Sequence, residues 1–279
     1  MKKTHIFLIA LLALFSSCED MVTNVDVPAS ESHYVIHSYL SPEDTAVIVY
    51  VDRSEPVFGD SDNDTSWISQ AHVFVNGIEL SRVSDYNIKF LIPADSLPIV
   101  AGETYTVSLQ IGTENVCSGS CTVPLIRNES LLYKGIDSVE NQGYDGFTYY
   151  DYYILYSFTD IATVENFYRI AAEFNYVDPY SSDTAVYTIY PESVQFIKDV
   201  LFSGSEYSDR ILVGGSETLS GITGLKLFLY TSDNNYYHYH RAILSQTDDP
   251  FSEPVIVPTN IDNGLGCVAG YRKYVLNVF

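Results

Sequence analysis

The sequence predicts a mainly β protein: an N-terminal immunoglobulin-like β-sandwich, then a second antiparallel β domain with one short helix. Three observations carry this. Short runs rich in Val, Ile, Thr and Tyr recur along the chain and are punctuated by Gly, Pro, Asn and Asp, the pattern of strands joined by tight turns. Only one stretch keeps apolar residues at helical spacing, and no βαβ alternation is visible, which argues against parallel-sheet enzyme folds. Tyrosine reaches 24 copies against one Trp. Its ring favours strands, and its polar tip suits a binding surface.

The first element is a leader. Lys2 and Lys3 precede an apolar run from Ile6 to Phe15, and Ser16-Ser17 leads into Cys18. That run is too short to span a bilayer core of about 30 Å. Its end resembles a lipoprotein signal, in which Cys18 is acylated and becomes the new amino terminus. Two or more chains, palmitate among them, hold firmly because each buried methylene contributes about 0.8 kcal/mol. A free secretory signal cut nearby is the alternative. We therefore divide the chain into a signal peptide (1–17), an acidic tether (18–31), a sandwich (32–125) and a C-terminal β domain (126–279).

Within the sandwich, strands are expected at Tyr34 to Leu40, Ala46 to Val51, Ala71 to Val75, Ile78 to Leu80, Asn87 to Ile92, Thr104 to Ile111 and Val116 to Val123. Asn76-Gly77 between two of them is a strong hairpin signal. About seven short strands in roughly 90 residues fit an immunoglobulin-like sandwich, and Pro124 closes the last one. Further strands are expected at Phe147 to Phe158, Phe167 to Val177, Ala185 to Tyr190, Ile211 to Val213, Leu219 to Tyr230, Tyr236 to Ala242 and Tyr274 to Phe279. Val194, Ile197, Val200 and Leu201 are spaced for a short helix over Glu192 to Leu201.

The net charge of −22 leaves no basic stripe to neutralise phosphates, so nucleic acid is excluded as a partner. It also disfavours contact between the protein body and anionic lipid. Besides Cys18 there are Cys117, Cys121 and Cys267, an odd number that leaves at least one thiol free. On one continuous strand, Cys117 and Cys121 would lie about 13 Å apart, beyond the roughly 4.4–6.8 Å of a disulfide. Buried free thiols are the expectation.

Several segments in order resemble the Bacteroidetes lipoprotein family called domain of unknown function 4249. They are His37-Ser38-Tyr39-Leu40-Ser41-Pro42, Arg53-Ser54, Ala71 to Gly77, and Gly102-Glu103-Thr104-Tyr105. Asn166-Phe167-Tyr168-Arg169, Leu201-Phe202-Ser203-Gly204, Pro254-Val255, Thr259 to Gly266 and Ala269-Gly270-Tyr271 follow. Cys267 stands where the family commonly has an apolar residue. The resemblance implies no settled activity. It does imply a TonB-dependent outer-membrane transporter as partner, because members are often encoded beside one, and hence an accessory role in nutrient capture. Glu19 and Asp20, directly after the lipid cysteine, resemble the export signal of Bacteroidetes surface lipoproteins. The expected location is thus the outer membrane, lipid-anchored and facing the exterior; a charged, solvated tether is the plainer account of those two residues.

The candidate chemistry is sparse, and no cofactor is expected. Asp60, Asp62 and Asp64 resemble the start of a calcium loop, since hard cations want clustered oxygens. Thr65 and Ala71 stand where that motif needs Gly and Glu, so a solvated hairpin tip is the simpler reading. His238 and His240, two apart on an expected strand, would share a face and could hold zinc or copper with a third ligand; with Tyr236, Tyr237 and Tyr239 beside them, an aromatic strand is the simpler account. Tyr149, Asp151 and Tyr153 would face outward while Tyr150 and Tyr152 bury. With Tyr237 and Tyr239, they form a candidate ligand or partner face; tyrosines that merely cover a sandwich face are the plainer account. The loop from Asn260 to Gly266 reads as a tight turn, with a binding loop as the alternative. No nucleophile elbow, zinc helix or phosphate loop is present. The expected function is therefore a binding lipoprotein and not an enzyme. A structural or adhesive surface protein is the second class, and a glycan-acting hydrolase with two distant carboxylates the third.

Overall fold

Side chains alternate between buried and exposed along most of the chain, as the two-residue period of a strand requires. The computed structural model describes residues 31–55, 65–84, 88–143, 146–162, 164–178, 180–191, 195–246 and 255–279. The first half contains β1 (Tyr34–Leu40), β2 (Ala46–Arg53), β3 (Ala71–Val75), β4 (Ile78–Glu79), β5 (Ser81–Ser84), β6 (Lys89–Pro93), β7 (Thr104–Ile111) and β8 (Glu114–Thr122). Then come β9 (Leu132–Gln142), β10 (Thr148–Thr159), β11 (Phe167–Val177), β12 (Thr184–Ile189), β13 (Phe196–Lys198) and β14 (Glu206–Gly214). Helix α1 (Ser216–Gly221), β15 (Ile222–Ser232), helix α2 (Asn234–Leu244), β16 (Ile261–Asp262) and β17 (Leu265–Asn277) complete the chain. Short 3₁₀ turns occupy Ser66–Gln70 and Asp199–Leu201.

The molecule is mainly β, as its sequence predicts. A long sheet runs β12-β11-β15-β17-β1-β2-β6-β5, with β13 also paired to β11. A five-stranded sheet (β16-β8-β7-β3-β4) and a three-stranded sheet (β14-β10-β9) accompany it. At the β3–β4 hairpin, Asn76 and Gly77 both take positive φ, 47° and 80°, as a two-residue turn of this kind demands.

Register shows which faces meet. In the parallel pair, Ile36 lies beside Gly266 and Ser38 beside Val268; Leu227 and Leu229 lie beside Leu276 and Tyr274. Partners in register project to one face. On that face Ile36, Leu40 and Val268 join the core shared with β3, β7 and β8. On the same face Leu227, Leu229 and Tyr274 join the core shared with β10 and β14. Both smaller sheets therefore cover one face of the long sheet. The opposite face carries Tyr39, Phe167, Cys267, Ala269 and Tyr271, packed with Tyr236, Tyr237 and Tyr239 of α2.

Strand pairing crosses the division expected at residue 125. Residues 32–54 and 63–279 form one compact unit, because β17 pairs with β1 through Leu265 to Gly270 and with β15 through Tyr271 to Asn277. The β1–β17 contact is parallel, so the C-terminal half is not wholly antiparallel. Its flank on both sides by packed residues is what parallel pairing favours. Small residues make that possible. Gly266 holds φ 108° and approaches β1 so closely that a Cβ would sit 2.1 Å from the Ile36 carbonyl oxygen.

Two further expectations are overturned. In the stretch expected to be helical, Phe196–Lys198 is strand β13 and Asp199–Leu201 a 3₁₀ turn; residues 192–194 lie outside the described residues. The edge of β11 supplies backbone partners there, and the Asp199 carboxylate accepts from Asn166 N at 2.8 Å, fixing the turn. Conversely, the expected strand from Tyr236 to Ala242 is helix α2. Asp233 caps it by accepting from Tyr236 N at 2.8 Å, and its other carboxylate oxygen accepts from Gly270 N of β17 at 2.8 Å.

Candidate functional site

Helix α2 is the element around which polar and apolar groups converge. Spacing of 3.6 residues per turn turns Tyr236, Tyr239 and His240 toward the long sheet, and Tyr237 follows on the flank. Tyr236, Tyr237 and Tyr239 are all buried. Arg169 reaches from β11 to donate to Tyr236 Oη at 3.0 Å. Its guanidinium lies 4.2 Å from the Tyr190 ring and 4.8 Å from the Phe196 ring. No carboxylate pairs with it among the described residues. His240 stacks on Phe196 with centroids 5.7 Å apart. Burial, then the charges of Arg169 and His37, push its pKa down to about 4, so it is neutral near pH 7. His37 Nε2 and Tyr239 Oη are hydrogen-bonded at 2.5 Å.

Among the described residues, several clefts border this cluster, and two of them combine aromatic walls with charged groups. The larger, about 870 Å³, is walled by Phe196, Phe202 and Tyr207 on one side and by Tyr237, Arg241 and Leu244 of α2 on the other. Its rim is apolar and bare: Val200 is 67% exposed, Leu201 96% and Leu244 54%. Arg241 Nη1 donates to Tyr237 Oη at 2.9 Å. Lys198 Nζ pairs with Glu165 at 2.6 Å. The smaller, about 320 Å³, lies over β1 and β2 and is lined by His37, Tyr39, Tyr50, Asp44 and Tyr271. There the Tyr271 hydroxyl donates to Asp44, whose other oxygen pairs with Lys273 Nζ at 3.1 Å.

Cys117, Cys121 and Cys267 are free and buried. Burial pushes the Cys267 thiol up to about 12 and the Cys117 thiol to about 11, and raises Cys121 as well. All three are held protonated at neutral pH, which weakens them as nucleophiles.

The residues singled out from sequence are dispersed. Tyr149, Asp151 and Tyr153 do share a face of β10. Tyr149 is 51% exposed, Asp151 accepts from Asn141 Nδ2 at 2.7 Å, and Arg210 covers the Tyr153 ring at 4.0 Å. Tyr150, expected inside, is also exposed. The reason is pairing: β14 reaches β10 only from Tyr152 onward, so residues 148–151 form a two-stranded ribbon with β9, wet on both faces. Tyr237 and Tyr239 do not belong to an outward face, because the helix turns both inward. The same helical geometry puts His238 and His240 about 200° apart, which removes the shared metal face. Among the described residues, no group of three or more His, Cys, Asp or Glu could hold a metal ion. Asp60, Asp62, Asp64 and Cys18 lie outside the described residues.

Sequence reasoning passed over Arg169, Phe196, Leu201 and Arg241 as site residues, although two of them sit in motifs quoted above. The structural part of those motifs is plain. Asn166 Nδ2 donates to the carbonyls of Ile161 and Val164, at 2.7 and 2.9 Å. It also donates to Asp160 at 3.2 Å, and Asp160 in turn accepts from Gly204 N at 2.7 Å. The loop from Asn260 to Gly266 is a turn that locks strands: Asn260 bonds Ser120 O at 2.8 Å, and Val268 O and N at 2.7 and 2.9 Å.

No curated protein matches the chain. The family model described as Domain of unknown function (DUF4249) matches residues 22–275, nearly the whole length, and the chain belongs to that family.

Proposed function

We propose that this chain is a lipid-anchored binding protein of the outer membrane, acylated at Cys18 and facing the exterior, that serves a TonB-dependent nutrient transporter as an accessory. The observation that carries the binding reading is the larger cleft. Its volume of about 870 Å³ falls in the range of small-molecule sites, which are mostly apolar with a few placed polar groups. The anchor is supported by the order Lys2-Lys3, apolar run, Ser16-Ser17-Cys18. A non-catalytic role fits the three protonated thiols and a His240 held among aromatic rings.

Replacing the lipid cysteine tests the anchor. Cys18→Ser should abolish palmitate labelling and move the chain out of the detergent phase; unchanged labelling would sink it. Affinity purification of the wild-type chain from membranes should recover a transporter, and repeated recovery of none would remove the accessory role. The ribbon of β9 and β10 favours one alternative, a structural or adhesive protein, because Phe147 is 74% exposed and Tyr149 51%. Adherence assays on a deletion strain, beside growth on single nutrients, separate the two.

A further inference from the structure

We infer that the cleft at the carboxyl end of α2 takes a single-chain amphiphile, an apolar tail carrying one carboxylate head, with Arg241 receiving the head. The inference rests on the reading of the chain as a binding protein and names the class of its ligand.

Three independent features converge. First, the cleft has aromatic and aliphatic walls and is open along an apolar rim, where Leu201 at 96% and Val200 at 67% exposure stand in water. Exposed apolar surface gathered around a concavity marks a binding site rather than ordinary surface scatter. Second, the volume of about 870 Å³ suits an extended body better than a single small polar molecule. Third, the wall contains a guanidinium without a carboxylate partner among the described residues. Among the described residues, the Arg241 side chain makes one hydrogen bond, to the uncharged Tyr237 hydroxyl. That leaves further donors of its planar fork free for a carboxylate.

Charge gives the head group its sign and its place. The chain has 36 Asp and Glu against 14 Lys and Arg, so an approaching anion is repelled over most of the surface. Lys198, the other cation of the cleft, is already neutralised by Glu165. Among the described residues, Arg241 is therefore where an anion meets attraction without a competing carboxylate. A carboxylate there would gain a charge-assisted, two-pronged hydrogen bond, while its tail covers Phe196, Phe202 and the bare Leu201 and Leu244.

Dodecanoate is the probe, titrated calorimetrically below its micelle concentration into the full chain carrying Cys18→Ser, purified without detergent. Saturable one-to-one binding is expected, with uncharged dodecanol binding about ten-fold more weakly because it lacks the charge-assisted bond. Arg241→Gln should weaken dodecanoate by about ten-fold and leave dodecanol unchanged. Leu201→Asp, on an exposed turn and so harmless to folding, should weaken both probes; circular dichroism checks each variant. Absence of saturable dodecanoate binding overturns the inference. So does equal affinity for the two probes, an unaltered preference in Arg241→Gln, or adsorption to phosphatidylglycerol vesicles without binding of the monomeric probe. Palmitate labelling and transporter recovery do not involve Arg241, so either reading can fail while the other stands.

Discussion

The two cores on one face of the long sheet are made from different stock. Between β1, β2, β3 and β7 the shielded residues are chiefly aliphatic: Val49, Val73, Val75, Val107 and Leu109 are each at 0% exposure. Between β10, β11 and β15 the core contains Tyr156, Phe158, Tyr168 and Phe174 beside Ile170, Leu227 and Leu229. An aliphatic core has only volume to satisfy. A tyrosine core also has hydroxyls to satisfy, and it does so unevenly. Tyr168 donates to Asp160 at 2.7 Å and accepts from Ile161 N at 3.2 Å. Tyr156 Oη is buried with no hydrogen-bond partner among the described residues. The first core thus depends on close packing, and the second on packing plus polar wiring.

The strongest break in this comparison is a cavity in the aliphatic side. Leu109→Ala should cost about 2–5 kcal/mol in urea unfolding, the range for truncating a fully buried leucine; a loss below 1 kcal/mol would mean the first core is loosely packed. The tyrosine side is probed by removing single oxygens. Tyr168→Phe should cost about 1–3 kcal/mol by stranding its buried partners, whereas Tyr156→Phe should be neutral or slightly stabilising. Equal effects of the two would erase the distinction between a wired and an unwired hydroxyl.

The smallest effect extends the comparison to the opposite face. His240 has a folded pKa of about 4 against 6.5 for the free side chain. Below pH 6.5 the unfolded chain takes up a proton that the folded chain refuses. Stability is therefore present above pH 6.5 and is lost as pH falls toward 4. At pH 5.5 the loss is about 1 kcal/mol. His240→Phe should remove that part of the difference between urea midpoints at pH 7 and pH 5.5; an unchanged difference assigns the acid sensitivity elsewhere.

These contrasts track what the sequence made legible. Strands β1, β2, β3 and β7 were readable because they are rich in branched and aromatic residues and three of them are bounded by Pro42, Asn76-Gly77 or Gly102. Strand β9 was not, since Leu132–Gln142 has an exposed or half-buried side chain at every position and so shows little hydrophobic alternation. Helix α2 was misread because tyrosine favours strands, and five aromatic or histidine residues in a row, Tyr236 to His240, hide a 3.6-residue period. Asp233 as a cap was the overlooked signal. The larger cleft was invisible for a different reason: β13, the following turn, Tyr207 and α2 supply its walls, and only the long sheet brings them together.

Strand β17 sets the order in which the molecule can be completed. Synthesis runs from the amino to the carboxyl side, yet Ile261 and Val268 belong to the core built on β1, β3, β7 and β8. Until those final residues emerge, β1 has an unpaired side and behaves as a free edge, open to adventitious pairing. Neither half can mature ahead of the other during translation, so a truncated product ending near residue 260 would be an unfinished molecule throughout rather than a folded front half with a ragged tail.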